Sequence, residues 1–364
     1  MTEEHRSPLH DWHVEHGADI LVEDGYPWAM HEGTDPLQEY EAIRTGVGIW
    51  DLFSTCKYEV TGPDAAALIQ RRFTNTLEGM TDGSVRYGAF VNADGLMIDD
   101  GNVYRFSPAR YVMMINTPAI DDWFRETAQG LDAQIAHRTD EFAMISVQGP
   151  SAQATLQPLV DRDLDELGYF RFWPEQATVA GARATVLRTG FSGEKGYEVL
   201  IAPGDARTVW DALIDVGATP FGLTAVDLAR TEAGLIIIAV DYDPGQTSPW
   251  DLSMDRFIKA GTACVGSEAL AERGAERPKR FKTLRIEGET APEYGAAVTK
   301  DGREVGVVTS PALSPRLGTI GLAILDAEVA GDGEKVEVAV GEGTAVATVD
   351  VLSALDPQKQ RPRA

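Results

Sequence analysis

This chain is poor in cysteine, poor in lysine and without any long apolar run. Its two cysteines, Cys56 and Cys264, lie far apart and neither flanks a second thiol. That argues against a disulfide framework and a cysteine-based zinc site, and it makes reduced, cytoplasmic residence the expectation. The longest apolar stretch, residues 235–240, is far too short to span a bilayer. The opening MTEEHRSPLH puts acids and histidines where a signal peptide needs a basic start and an apolar run. Lys and Arg number 32 against 57 acids, and only 8 of the 32 are lysine. A net charge of −25 repels phosphate backbones, so neither nucleic acid nor an anionic membrane is expected as a partner. An acidic, well-solvated surface also suits a salt-rich cytoplasm.

What is present is a chain of 364 residues, 43% hydrophobic, enough for a substantial core and for two or three domains. PLQEYEAIRTGV reads as an amphipathic helix, GIWDLF and CKYEV as strands, and PDAAALIQRRF as a helix with Pro63 near its start. RYGAFVNADGLMIDDGNVYRF alternates apolar and polar positions around a glycine-bearing turn, the pattern of a β-hairpin. A strand (RYVMMIN), a helix (IDDWFRETAQGL) and a further strand (EFAMISVQGP) follow. This irregular alternation predicts an α+β fold with antiparallel sheets, not a doubly wound one. The charged stretch AERGAERPKR then separates a body, residues 1–272, from a tail, residues 273–364, whose short strands between glycine turns predict a small β-barrel.

Three constellations could carry chemistry. Asp99 and Asp100 are adjacent acids on the hairpin, and because neighbouring strand side chains point to opposite faces, only one of them can face a given pocket. Alone, such a pair reads as a solvated turn. RTGFSGEKGYE, residues 188–198, lacks the spacing of a P-loop, of a dinucleotide fingerprint and of a nucleophile elbow. It is either a plain hairpin turn or a tight turn that delivers Phe191 and Glu198 to a pocket. His10, His13 and His16 imitate zinc spacing, but no carboxylate or cysteine set completes it, so an exposed helix face and no metal are expected.

Taken in order, PLHDWHVEHGA, VGIWDLF with VTGPDA, RRFTNTLEGMTDGSVRYGAFVNADGLMIDD, FAMISVQGP, LRTGFSGEKGYEVLI, FGLTAVDLARTEAG and VGVVTSPALSP resemble the tetrahydrofolate-dependent aminomethyltransferase family. This is the family of the glycine cleavage T-protein and of related folate-dependent demethylases, and the resemblance runs from about residue 8 to residue 355. It implies two intertwined α/β subdomains forming a folate-binding body, plus a C-terminal barrel, with tetrahydrofolate in a central hole. The family's essential aspartate matches Asp100. Its pocket residues match Tyr87, Tyr104 and Asn116, with Phe191 where a tyrosine is usual and Glu198 as the acid that holds the pterin's amino edge.

The chain also departs from the T-protein pattern. Phe53, Ser54, Thr55, Cys56 and Lys57 stand where Ser-His-Met-Gly is expected, and Val226 stands where an arginine is usual. If Thr55 and Val226 line the substrate pocket, its wall has become more apolar. These departures put a small methyl or aminomethyl donor first, with a demethylase-like transfer to the folate N5 and Asp100 as the catalytic carboxylate. One alternative is a true T-protein, which would need a lipoyl-bearing protein partner. The other is a non-catalytic folate-binding factor, against which the retained Asp100 counts.

Overall fold

The computed structural model describes residues 5–259 and 261–364, so the first four residues of the opening segment lie outside the described residues. Two sheets share the body. One is five-stranded and antiparallel, in the order Ser84–Val91, Met97–Ser107, Arg110–Ile115, Cys56–Thr61, Gln134–His137. The other is six-stranded, in the order Ala177–Val179, Ala182–Leu187, Gly196–Ile201, Ala143–Gln148, Gly48–Asp51, Thr219–Pro220, with only the last pair parallel. Gly48–Asp51 belongs to one sheet and Cys56–Thr61 to the other, so the chain crosses between them within a few residues. The body is intertwined as the resemblance implied, and the fold is α+β.

Each sheet has one face closed by helices. Ala65–Gln70 and Ile120–Thr127 bury Leu68, Ile69, Ile120 and Phe124 against Tyr58, Val103 and Met113 of the five-stranded sheet. Ala206–Asp215 buries Trp210 and Leu213 against Ile145 and Val199 of the six-stranded sheet. The inner faces meet in a third core, where Tyr104 and Met114 oppose Trp50, Met144 and Leu200, and the helix Leu223–Ala233 contributes Ala225, Val226 and Ala229. Burying side chains of this size stabilises by roughly 1.5–3 kcal/mol each, which is what holds the two sheets face to face.

The first long helix, Pro36–Thr45, starts as its sequence dictates: the Asp35 side chain accepts from the Leu37 amide at 2.9 Å and Pro36 occupies the first turn, where its missing N–H costs nothing. The short helix His10–Glu15 departs from expectation. His13 is 3% exposed, and its ring nitrogens lie 2.8 Å from Glu32 and 3.1 Å from Asp51, so it is an internal bolt and not part of a surface face. The boundary expected after residue 272 falls inside a helix, Ser267–Glu276, which packs Leu270 beside Trp250 and lays Gly274 against the Trp250 ring. After it, six strands from Lys279–Ile286 to Gly343–Asp350 close into a barrel around Leu284, Val298, Val308, Leu325, Val338 and Val349. Among the described residues, no helix is long and apolar enough to cross a membrane.

Candidate functional site

A cavity of about 1300 Å³ opens between the two sheets and is closed on further sides by residues 233–240 and by the segment that follows the barrel. The strand Met97–Ser107 supplies one wall. Period-two alternation puts Asp100, Asn102 and Tyr104 on the same face, and all three line the cavity. Asp99 points the other way and is fully buried. Its carboxylate accepts from the Asn116 side-chain amide at 2.8 Å, from the Thr117 amide at 3.0 Å and from the Asp100 amide at 2.7 Å. Asp99 therefore pins the turn that carries Asn116 and is not a bystander. Burial and the nearby Asp100 charge push it upward, to about 8, against these hydrogen bonds.

Asp100 has both oxygens engaged. The Tyr242 hydroxyl donates to Oδ1 at 2.6 Å and the Tyr87 hydroxyl to Oδ2 at 2.7 Å. Burial raises its pKa to about 6, while the two phenols pull it back. On the opposite sheet, Glu198 accepts a hydrogen bond from the Thr189 hydroxyl through one oxygen. Burial raises Glu198 to about 7, opposed by that bond and by the charge of Lys57. Tyr104 and Phe191 lie along the same cavity, and Asn116 reaches it beside Asp100.

Glycines shape the turn that presents Phe191 and Glu198. Gly193 has φ +76°, a region L side chains rarely adopt, and a Cβ on Gly190 or Gly196 would meet the Gln148 side chain at 2.2 or 2.3 Å. Gln148 in turn accepts from the Ser192 hydroxyl at 2.7 Å, which locks the turn to the neighbouring strand. Across the cavity, Thr55 lies on a loop held by a buried cation. The Lys57 ammonium donates to the carbonyls of Leu52, Phe53 and Thr55 at 3.0, 2.9 and 2.8 Å, and burial lowers its pKa to about 8.

Asp100, Tyr87, Tyr104, Asn116, Phe191, Glu198 and Thr55 thus share one cavity, whereas Val226 does not. It is 1% exposed in the core between the sheets, on a face of its helix turned from the cavity that Thr224 and Asp227 line. Asn102 and Tyr242 stand beside Asp100 without belonging to the motifs that mark the site. Asn102 was findable, since it is the position between Asp100 and Tyr104 in a period of two. Tyr242 carried no local signal, because its partner lies 142 positions away.

Two carboxylates facing an aromatic-walled slot, one clamped by two phenols, mark an enclosed ligand-binding cavity. Comparison with known proteins gives the chain its family. The description of a GCVT N-terminal domain matches residues 9–262, and that of a glycine cleavage T-protein C-terminal barrel domain matches residues 279–355. The chain is 34% identical to an aminomethyltransferase of Thermotoga petrophila over 94% of each chain. It is 33% identical to that of Bacillus subtilis, over 92% of this chain and 94% of the relative. It is also 34% identical to a probable aminomethyltransferase of Halobacterium salinarum, over 96% of this chain and 98% of the relative. In fold it is similar to the crystal structure of glycine cleavage system aminomethyltransferase T from Bartonella henselae, with a TM-score of 0.88 at 22% identity over 95% and 97% of the two chains. The chain belongs to the tetrahydrofolate-dependent aminomethyltransferase family, that of the glycine cleavage T-protein.

Proposed function

We propose that this chain moves an aminomethyl carbon from the sulfur of a lipoyl-bearing carrier protein to tetrahydrofolate, with ammonia leaving and the carrier retaining its thiol. The observation that carries this reading is the likeness to aminomethyltransferases along almost the whole chain, at 33–34% identity in bacterial and archaeal relatives. It reverses the order in which the sequence put the donors. One of the two departures that favoured a small donor, Val226, belongs to the packing between the sheets, so its apolar side chain says nothing about the donor.

The cavity fits the folate on its own chemistry. Glu198 has an oxygen left over after Thr189, and the buried Asn102 Oδ1 on the cavity wall has no hydrogen-bond partner among the described residues. Both are acceptors, suited to the N–H groups of an amino-pyrimidine edge. When bound, tetrahydrofolate supplies the nucleophilic nitrogen. Glu198 holds the amino edge, Tyr104 and Phe191 keep water from the ring, and Asn116 braces the carbonyl of Asp100. Asp100, ionised between its two phenols, stabilises cationic charge at the carbon in transit, inside a site where burial makes that attraction stronger than in water. Both cysteines are unpaired, which suits a reducing cytoplasm.

A second reading keeps a small methylated or aminomethylated donor, and a specific observation favours it: Ser54 and Thr55, where the sequence departs from the T-protein pattern, do line the cavity. One experiment separates the two. The protein is incubated with tetrahydrofolate and either an aminomethylated lipoyl protein or a panel of small donors, and the folate product is identified by mass. Methylene-tetrahydrofolate with ammonia from the lipoyl protein supports the proposal. Methyl- or methylene-tetrahydrofolate formed from a small donor and not from the lipoyl protein overturns it in favour of the second reading.

A further inference from the structure

The Asp100 carboxylate is clamped by two tyrosines, and the chain holds them in different ways. Tyr87 lies on the strand paired with that of Asp100 and is fixed by the sheet. Tyr242 lies in an irregular segment that no sheet holds, yet it is 3% exposed and donates to Asp100 at 2.6 Å. Its immediate neighbour explains how it is kept in place. Asp241 is 1% exposed and accepts four hydrogen bonds. Its Oδ1 accepts from the Thr309 hydroxyl at 2.5 Å and the Ser310 hydroxyl at 2.6 Å; its Oδ2 accepts from the Arg230 guanidinium at 2.6 Å and the Ile237 amide at 2.9 Å.

Arg230 belongs to the helix Leu223–Ala233 of the body, while Thr309 and Ser310 belong to the barrel strand Arg303–Ser314. Arg230 also donates to the Ser310 hydroxyl at 2.7 Å, so body, barrel and loop meet in one buried polar knot. Between the knot and Tyr242 the backbone turns back on itself. Ala239 has φ +62° and its amide donates to the Tyr242 carbonyl at 2.8 Å. A saturated carboxylate on one side and a closed turn on the other leave the Tyr242 phenol little choice of direction.

We infer that Tyr242 is a positioning residue for Asp100, held in register by the barrel through Thr309, Ser310 and Asp241. Tyr242 donates a hydrogen bond and transfers no proton. It fixes the direction of the carboxylate and favours its ionised form, so the barrel helps to set the charge state of the catalytic site. Nothing in the sequence near Asp100 signals this, because Tyr242 lies 142 positions away and its support comes from the barrel. The inference rests on the transfer reading above, in which Asp100 works as an anion.

The test is Tyr242→Phe, which removes the donor and little else. Losing one charge-assisted hydrogen bond should raise the Asp100 pKa by about one unit, so the acid limb of the turnover profile moves to higher pH by that amount. Turnover should fall about twofold near neutral pH and about tenfold at pH 5, and recover on the alkaline side, while folate affinity stays within about threefold. Ser310→Ala should move the limb the same way by less. Tyr242→Phe with an unmoved limb, losing only thermal stability, would overturn the inference. To keep this outcome apart from a failure of the transfer reading, the Asp100 carboxyl is titrated by 13C NMR in the wild type and in Tyr242→Phe, with Asp100→Asn assigning the signal. That titration needs no turnover, and an unchanged Asp100 titration overturns the inference even if the enzyme's donor is something else.

Discussion

Asp99 and Asp100 are neighbours with the same side chain and opposite fates. The pleat turns Asp100 to the cavity and Asp99 to the hydrogen-bond donors of the next strand's end. Replacing Asp100 with Asn keeps size and removes charge, so turnover should fall on the order of a hundred- to ten-thousandfold in a single-turnover assay, with the melting temperature nearly unchanged. Asp99→Asn should behave in the reverse sense. An amide there turns an N–H group toward donors, which costs about 1–3 kcal/mol of stability and lowers the melting temperature. Asp99→Asn is thus no silent control, since the carboxylate also accepts from the Asn116 backbone amide and so from four donors in all. Glu198 gives a pH signature of its own. With a pKa raised to about 7 by burial, it is an anion above that pH and loses its charge below it. Tetrahydrofolate affinity should therefore weaken as pH falls through 7, and Glu198→Gln should bind more weakly at pH 8 and lose this dependence. Titration calorimetry at three pH values reads it; an equally steep profile in Glu198→Gln would assign the dependence elsewhere.

At the scale of elements, the loop of residues 52–55, the glycine turn and the N-terminal hairpin shape the cavity rim, and each is secured by a buried polar group. The hairpin of Asp19–Glu23 and Tyr26–His31 carries Tyr26, Trp28 and Met30 to the cavity and is bolted to the helix His10–Glu15 through His13. Burial alone would lower the His13 pKa, but hydrogen bonds and charge from Asp51 and Glu32 outweigh it and raise it to about 9. A raised pKa means that the stabilisation is complete below the unfolded value, near 6.5, and is lost as pH rises through 9. The bolt should contribute at most about 3 kcal/mol. Hydrogen exchange should show residues 9–31 opening as pH goes from 7 to 10, once intrinsic exchange rates are divided out. In His13→Gln that segment should be open already at pH 7, and a protected segment in this variant would show that packing alone holds it.

For the whole molecule, the cavity matters more than either sheet, since both sheets and the segment after the barrel supply its walls. A ligand bound there bridges all of them and should stabilise the chain as a unit. Tetrahydrofolate at a hundred times its dissociation constant should add about 2.7 kcal/mol, a shift of several degrees in the melting temperature. An unchanged melting curve at saturating folate would remove the cofactor from this site. The charge of −25 bears on association at this scale, not on the fold.

Much of this was legible along the chain, and it was what local chemistry dictates. The hairpin of Ser84–Val91 and Met97–Ser107 shows in its alternation, the helix Pro36–Thr45 in its cap and proline, and the barrel in glycine turns between short strands. Asp100 and Glu198 follow from an ordered series of motifs spanning the chain. For the hairpin, the helix and the barrel turns the determining residues lie within a few positions of one another, so local chemistry contains the cause, whereas the two carboxylates are picked out by the resemblance and not by their neighbours. The tertiary structure decided the rest. Val226 turned into the core, His13 became a buried bolt and Tyr242 reached Asp100 across 142 positions, because each outcome depends on which distant surface the chain meets when the sheets and barrel close. A side chain's neighbours along the sequence do not specify that encounter; the packing of the whole molecule does.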